Sequence, residues 1–452
     1  MNRHKLILIC LSFTLMLSLF PLQKTSANSV PTIVFEVNST EDLPDAIPNG
    51  ICSADSNTNG PCTLRAAVTE ASNAIAAGRG NVHIKIPAGH YLLTRTSDVS
   101  GSDERFGDLD FLPLDEPTEL EVLIEGIGNE PSIIDANGID RVFEIQAHHN
   151  ITMSNLTIQN GEILEESSLT IGGAGFYVYY GKLTLKHTRI LNNKVVCEPS
   201  HCFADGGGIF SFNSTIQLYD TEIAYNHAWD GSGIYFTHAF LNTPPLIIDQ
   251  CSFHHNTGEN SVLEMGAHST EVFILNSTFS DNSRNETPIT LRSETWIQNT
   301  TIIADSSSVL FFSAPVHLRN SIIMAHPSTA LPNCSYTNEN YVISEGGNLF
   351  SDSSCFPKPE LFDMIVSYED ANLGELSDNG GFSPTVALLE GSRAISRRPF
   401  KCLYIPWGQE NPSLKVLLLD QRNVIRAETC DAGAFSYNTL PNRLHLPLVI
   451  RE

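Results

Sequence analysis

Seven segments of the chain share one hydrophobic alternation that loses phase at the same place each time. They are ITMSNLTIQNG (151–161), LTLKHTRILNN (183–193), IQLYDTEIAYN (216–226), LIIDQCSFHHN (246–256), VFILNSTFSDN (272–282), TWIQNTTIIAD (295–305) and VHLRNSIIMAH (316–326). The shared pattern is apolar, any, apolar, any, polar, small, any, apolar. The fifth position holds Asn155, His187, Asp220, Gln250, Asn276, Asn299 and Asn320; the sixth holds Leu156, Thr188, Thr221, Cys251, Ser277, Thr300 and Ser321. The eighth is always Ile or Phe. Period-two alternation means a strand with one buried face. A one-residue slip flips that face. The chain keeps one face buried only by turning a corner at the fifth position, where Asn and Asp tolerate the left-handed backbone such a corner needs.

The segments start 32, 33, 30, 26, 23 and 21 residues apart, a period near that of a solenoid with variable insertions. Glycine-rich stretches precede three of the coils, GAGFY at 173, GGGIF at 206 and GSGIY at 231, and suit a tight turn into a third strand. Three short parallel strands per coil give an all-β fold, a right-handed parallel β-helix. At ~4.8 Å per coil the seven coils span roughly 34 Å. HIKIPAGHYLL (83–93), LEVLIEGIG (120–128) and RVFEIQ (141–146) extend the pattern upstream, for about ten coils in all. The fifth-position column reads in two ways: as a ligand-binding ladder, or as corner residues bonded to the next coil.

The two open ends of such a stack invite edge-to-edge association and need covers. In LRAAVTEASNAIAA (64–77), Leu64, Ala67, Val68, Ala71 and Ile75 fall on one helical face and Gly78 stops the helix, which then covers the first coil. Residues 330–440 lose the repeat and carry four cysteines, as a bridged C-terminal cap would. The predicted organisation is a signal peptide at 1–27, an N-terminal cap at 28–82, the β-helix at 83–329, the C-terminal cap at 330–440 and a tail at 441–452. The signal peptide rests on Arg3 and Lys5 before the apolar run Leu6–Phe20, followed by Thr25-Ser26-Ala27. Nine cysteines follow that segment. Proximity suggests Cys52–Cys62, Cys197–Cys202, Cys334–Cys355 and Cys402–Cys430, although spacing alone does not fix connectivity. Cys251 is left over, as a small buried hydrophobe. Export makes such bridges plausible. No later stretch is apolar for long enough to span a membrane.

The net charge of −25 argues against nucleic acid, which needs a basic stripe. Divalent cations or neutral glycans fit the charge better, and the expected partner is a cell-surface or extracellular glycan or protein. Asp108 and Asp110 in GDLDF, with Asp103 and Glu104 nearby, form the one candidate calcium site; their plainer reading is a solvated acidic loop. No other cofactor is expected. His148-His149 and His254-His255 are adjacent pairs whose members should point to opposite faces and so not chelate one ion. No Gly-x-Ser-x-Gly elbow or phosphate-binding loop occurs.

PCTLRAAVTEASN (61–73), the Cys52 to Cys62 spacing, GDLDF (107–111) and LIEGIGNEPSIIDANGIDRVFEI (123–145) resemble secreted bacterial proteins with a CSLREA domain. DNGGFSPTVALLEGSRAIS (378–396) and DQRNVIRAETCDAGAF (420–435) resemble the choice-of-anchor Q domain of bacterial surface proteins. The Gly206–Ile209 stretch and the spacings Phe253 to Asn256 and Phe279 to Asn282 are similar to the repeats of chlamydial polymorphic outer-membrane proteins. The chain departs from these patterns at Ala66, Ser396 and Ser436, where carboxylates are usual. The resemblance implies an extracellular or surface-attached β-helix without established catalysis.

The expectation is therefore a secreted or cell-surface β-helix of structural, adhesive or glycan-binding character, with no catalytic residues assigned. Tyr177, Tyr179, Tyr180, Phe210, Phe212, Tyr235 and Phe236 are candidates for an aromatic platform, about half of them necessarily facing inward. The alternative is a polysaccharide lyase or glycoside hydrolase of the pectin-lyase-like fold. Carboxylates and a Lys or Arg converging beside the long coils of 160–245 would favour it.

Overall fold

The structure is a computed structural model. It describes residues 30–56, 58–96, 105–165, 171–197, 204–239, 244–266, 270–282, 287–304, 308–326, 331–355, 358–406 and 413–437. The expected signal peptide, the C-terminal tail, Asp103, Glu104 and the side chains of Cys197 and Cys202 lie outside the described residues.

The repeats fold as their broken alternation requires. Asn155, His187, Asp220, Gln250, Asn276, Asn299 and Asn320 all have φ between 47° and 60°, the left-handed region, and each separates two short strands. The eighth-position residues then stack in register, Ile158 on Ile190, Ile223, Phe253, Phe279, Ile302 and Ile323, and all seven are fully buried. A second corner follows at Asn160, Asn192, Tyr225, His255 and Asp281, again with positive φ. The pairing is parallel throughout the coils. Eleven strands follow one another before the first corner, from Thr32–Glu36 to Val342–Ser344. Nine more form the third side, from Leu109–Phe111 to Cys334–Tyr336. The glycine signatures make the turn into that side: Gly173, Gly206 and Gly231 sit at φ 74°, 67° and 58°, immediately before Phe176–Tyr179, Ile209–Phe212 and Ile234–Thr237.

The helix is Leu64–Ala76, with the Thr63 side chain accepting from the Ala66 N–H as N-cap. Leu64, Ala67, Val68, Ala71 and Ile75 join one core with Val82, Ile84 and Ile86 of the strand Asn81–Leu92. Cys52–Cys62, Cys334–Cys355 and Cys402–Cys430 are bridged, and Cys251 is free and buried, its thiol pushed well up by burial.

Three expectations need correction. The β-helix does not stop at 329: Cys334–Tyr336, Val342–Ser344 and Leu349–Phe350 pair with the preceding coil. The corner of that extra coil is Gly346-Gly347, both at positive φ, so a search for polar corner residues passes over it. Residues 378–436 do not merely close an end. They run back along the first corner, where Gln250 meets Asp420 and Asn423, Asn276 meets Leu419 and Arg426, Gly433 donates to the Asn320 carbonyl, and Phe382 packs on the His187 ring. For the same reason the first-corner column is not a continuous ladder from coil to coil. His187 bonds Asp220 and Asn320 bonds Asn299, but Gln250 and Asn276 bond this returning strap. The unbroken amide ladder lies just past the second corner, Asn193–Asn226–Asn256–Asn282, with side-chain contacts of 3.0–3.1 Å.

Candidate functional site

Along the nine-stranded side, alternation sends Phe143, Phe176, Ile209, Ile234, Leu263, Ile289 and Leu310 inward. Their neighbours form one outward file in strict register: Asp110, Glu144, Tyr177, Phe210, Tyr235, Glu264, Thr290, Phe311 and Ser335. The file is acidic at its start, aromatic in the middle and acidic again beyond.

The aromatic stretch is a stack. Tyr177 and Phe210 lie 5.4 Å apart with planes 3° from parallel, and Phe210 and Tyr235 lie 5.6 Å apart at 2°. Tyr179 stacks on Phe212 in a second file, and Tyr180 meets both edge-on. Of the seven aromatics expected on the platform, Phe236 faces the core. The others are on this side, but their ring faces are spent on one another. What the stack offers a ligand is ring edges and phenol hydroxyls.

Beyond Tyr235 a shallow cleft of about 370 Å³ is lined by Asp230, Asn260, Glu264, Thr290, Arg292 and Phe311, among others. Glu264 accepts from Ser261 Oγ at 2.7 Å and pairs with Arg292. Burial raises the Glu264 carboxyl even so, and raises that of Asp230. Asp205, on the neighbouring coil, is pushed up to about 7, first by burial and then by the charges of Asp230 and Glu264. The same surroundings push the Tyr235 phenol up to about 12, burial again leading. Trp229, immediately before Asp230, is 52% exposed. These carboxylates did not stand out in the sequence. The signal was present, because Asp205 and Asp230 each stand directly before a Gly-x-Gly-Ile signature.

Asp108 and Asp110 are not solvated loop residues. Both are buried, and Glu144 joins them with candidate ligand oxygens all within 4.8 Å. Burial is the main cause raising both carboxyls, Asp110 to about 7. Arg141 contacts Asp108 at 3.6 Å and pairs with Glu144, and its guanidinium lies 5.1 Å from the Tyr177 ring centroid. Gly107, at φ 64°, makes room for Asp140: a Cβ there would lie 2.5 Å from Asp140 Oδ2. Arg65, at the start of the helix, holds this loop by donating to the Gly107 and Asp108 carbonyls. Glu144 lay within the RVFEIQ strand and was legible only once its register to Asp110 was known.

The histidine pairs behave differently from each other. His149 bonds the Leu112 carbonyl and is pushed down to about 4 by burial. His254 and His255 do converge, with Nδ1 atoms 2.9 Å apart, because His255 occupies the second corner and alternation fails there. The His254 ring also bonds Glu222.

The coils' parallel register and corner geometry settle the architecture. The chain folds as a right-handed parallel β-helix. Residues 138–302 match the family described as right handed beta helix region, so the match spans the aromatic stack and the part of the cleft formed by Asp230, Asn260, Glu264, Thr290 and Arg292. Neither the curated proteins nor the solved structures contain a match to the chain. Among the described residues no helix is long and apolar enough to cross a membrane.

Proposed function

We propose that this β-helix is an extracellular or cell-surface protein whose nine-stranded side binds an elongated glycan. The observation that carries the reading is the cleft at Asp230, Glu264 and Arg292, continuous with the outward file of aromatics and beside the exposed Trp229. An extended sugar chain repeats on a length close to the coil spacing, so successive coils meet successive residues. Carboxylates and phenols supply hydrogen bonds to sugar hydroxyls, and Trp229 offers the free ring face that the stack does not. The three disulfides among the described residues are compatible with an extracellular setting, and the terminal stretches resembling CSLREA and choice-of-anchor Q domains support it. A panel of neutral polysaccharides, tested by glycan array and affinity electrophoresis, checks the reading. Binding should fall at least about tenfold in Trp229→Ala and Glu264→Gln; uniform binding by all three proteins would sink it.

One observation favours a second reading, a polysaccharide-cleaving enzyme. Asp205 keeps its proton up to about pH 7, the state a general acid needs, next to the charges of Asp230 and Glu264, which line the cleft with Arg292. Release of reducing ends by the wild type, lost in Asp205→Asn and in Asp230→Asn, would select this reading over binding alone.

A further inference from the structure

We propose that Asp108, Asp110 and Glu144 hold one calcium-type divalent cation, at the junction of the N-terminal helix and the first strands of the nine-stranded side. This goes beyond the glycan reading and does not depend on it. Three carboxylates presenting oxygens within 4.8 Å of one another already have the composition of a hard-cation site, with no sulfur or imidazole to favour zinc. Clustered acids alone would not suffice. The second observation is Asp108 itself, which is 7% exposed and whose Oδ2 accepts no hydrogen bond, leaving only a loose ion pair with Arg141 at 3.6 Å. A buried carboxylate oxygen in that condition is costly unless something positive meets it.

The resident cations do not balance the site. Asp108 feels Asp110, Asp140 and Glu144 against Arg141, and Asp110 feels Glu144 and Asp140 against Arg141 and Arg65. Arg65 is near but committed: it bonds Asp42 at 2.6 Å and the Gly107 and Asp108 carbonyls at 2.8 and 2.7 Å. Arg141 is the rival occupant. When an ion enters, its guanidinium leaves Glu144 and stays over the Tyr177 ring, which it already approaches. Magnesium, which keeps several waters and demands octahedral geometry, fits a buried tri-carboxylate cradle poorly.

The test uses the full secreted chain after chelator treatment. Calorimetric titration with calcium up to about 1 mM, the range of extracellular modules, should give one saturable site per chain. At about tenfold excess over Kd the melting temperature should rise by about 1–2 °C, with magnesium giving less. Asp110→Asn and Glu144→Gln should lose at least about tenfold in affinity and lose the melting response; in chelator Asp110→Asn should melt no lower than wild type because a like charge is gone, whereas Glu144→Gln gives up its pair with Arg141 and should melt lower. Should either variant fail to fold, tyrosine-sensitised terbium emission from the wild type decides: it should be displaced by calcium and reduced by Tyr177→Phe, whose ring is adjacent to Glu144 on the next strand. No saturable calcium binding, variants that respond like wild type, or emission indifferent to Tyr177→Phe would each overturn the proposal.

Discussion

Arg426 Nη2 donates to Asn276 Oδ1 at 2.6 Å, joining residues 150 positions apart. The same guanidinium also donates to the Gly433, Ala434 and Leu419 carbonyls, and the residue is buried, 7% exposed. It is the pin that holds the returning strap on the first corner. Arg426→Met keeps the volume but leaves four acceptors without that donor. We expect a loss of about 3 kcal/mol in denaturant unfolding. Limited proteolysis should cut within 413–437 before it cuts the coils, and coil-first cleavage would show that the strap is not pinned there.

Asn226 sits in the internal ladder. Its Oδ1 accepts from the Asn193 N–H and side-chain amide, and its Nδ2 donates to the Ile190 carbonyl and to Asn256 Oδ1. Asn226→Leu strands several buried partners and should destabilise by about 3 kcal/mol or more. Asn192 is the instructive neighbour. It is exposed at φ 56°, so Asn192→Gly should change stability by no more than about 0.5 kcal/mol. Equal losses in the two variants, measured by urea melts, would refute the division between corner and ladder.

That division marks how far the sequence could be read. The phase slip at Asn155 and its counterparts exposed the corners because it is local and repeats. The column from Ile158 to Ile323 followed from it. The ladder position was visible only as a recurring Asn at the end of FHHN and FSDN, with nothing in the string to say which of two polar neighbours points inward. The strap was not legible, because Gln250–Asn423 and Thr278–Gln421 link aperiodic sequence to distant coils. The cleft was partly hidden for a related reason: Glu264 and Arg292 lie 28 residues apart and meet only through the coil register.

Arg65 is 1% exposed and bonds Asp42, itself buried, while bracing the loop that carries Asp108. Arg65→Leu removes one member of a buried ion pair and leaves carbonyls unpaired, so about 3–5 kcal/mol should be lost. Arg65→Lys should rescue little, since one ammonium cannot span Asp42 and the Gly107 and Asp108 carbonyls as the planar fork does. Thermal melts of the two variants check this, and recovery to wild-type stability in the lysine variant would contradict it.

Asp205 gives the fold a definite pH dependence. Its carboxyl is 3% exposed and titrates at about 7 in the folded chain, against an ordinary value of 3.8. Between those values the folded state holds a proton that the unfolded chain has released. Stability from this group is therefore greatest at or below about pH 4 and falls as pH rises to about 7, by an amount on the order of 2–4 kcal/mol. Asp230 and Glu264 face it as like charges, so higher pH worsens the crowding rather than relieving it. Asp205→Asn cannot ionise and should be more stable than wild type above pH 7, with a flatter stability profile between pH 4 and 7. Urea unfolding across that range measures both; parallel profiles for the two proteins would mean that Asp205 ionises as freely in the fold as in the open chain.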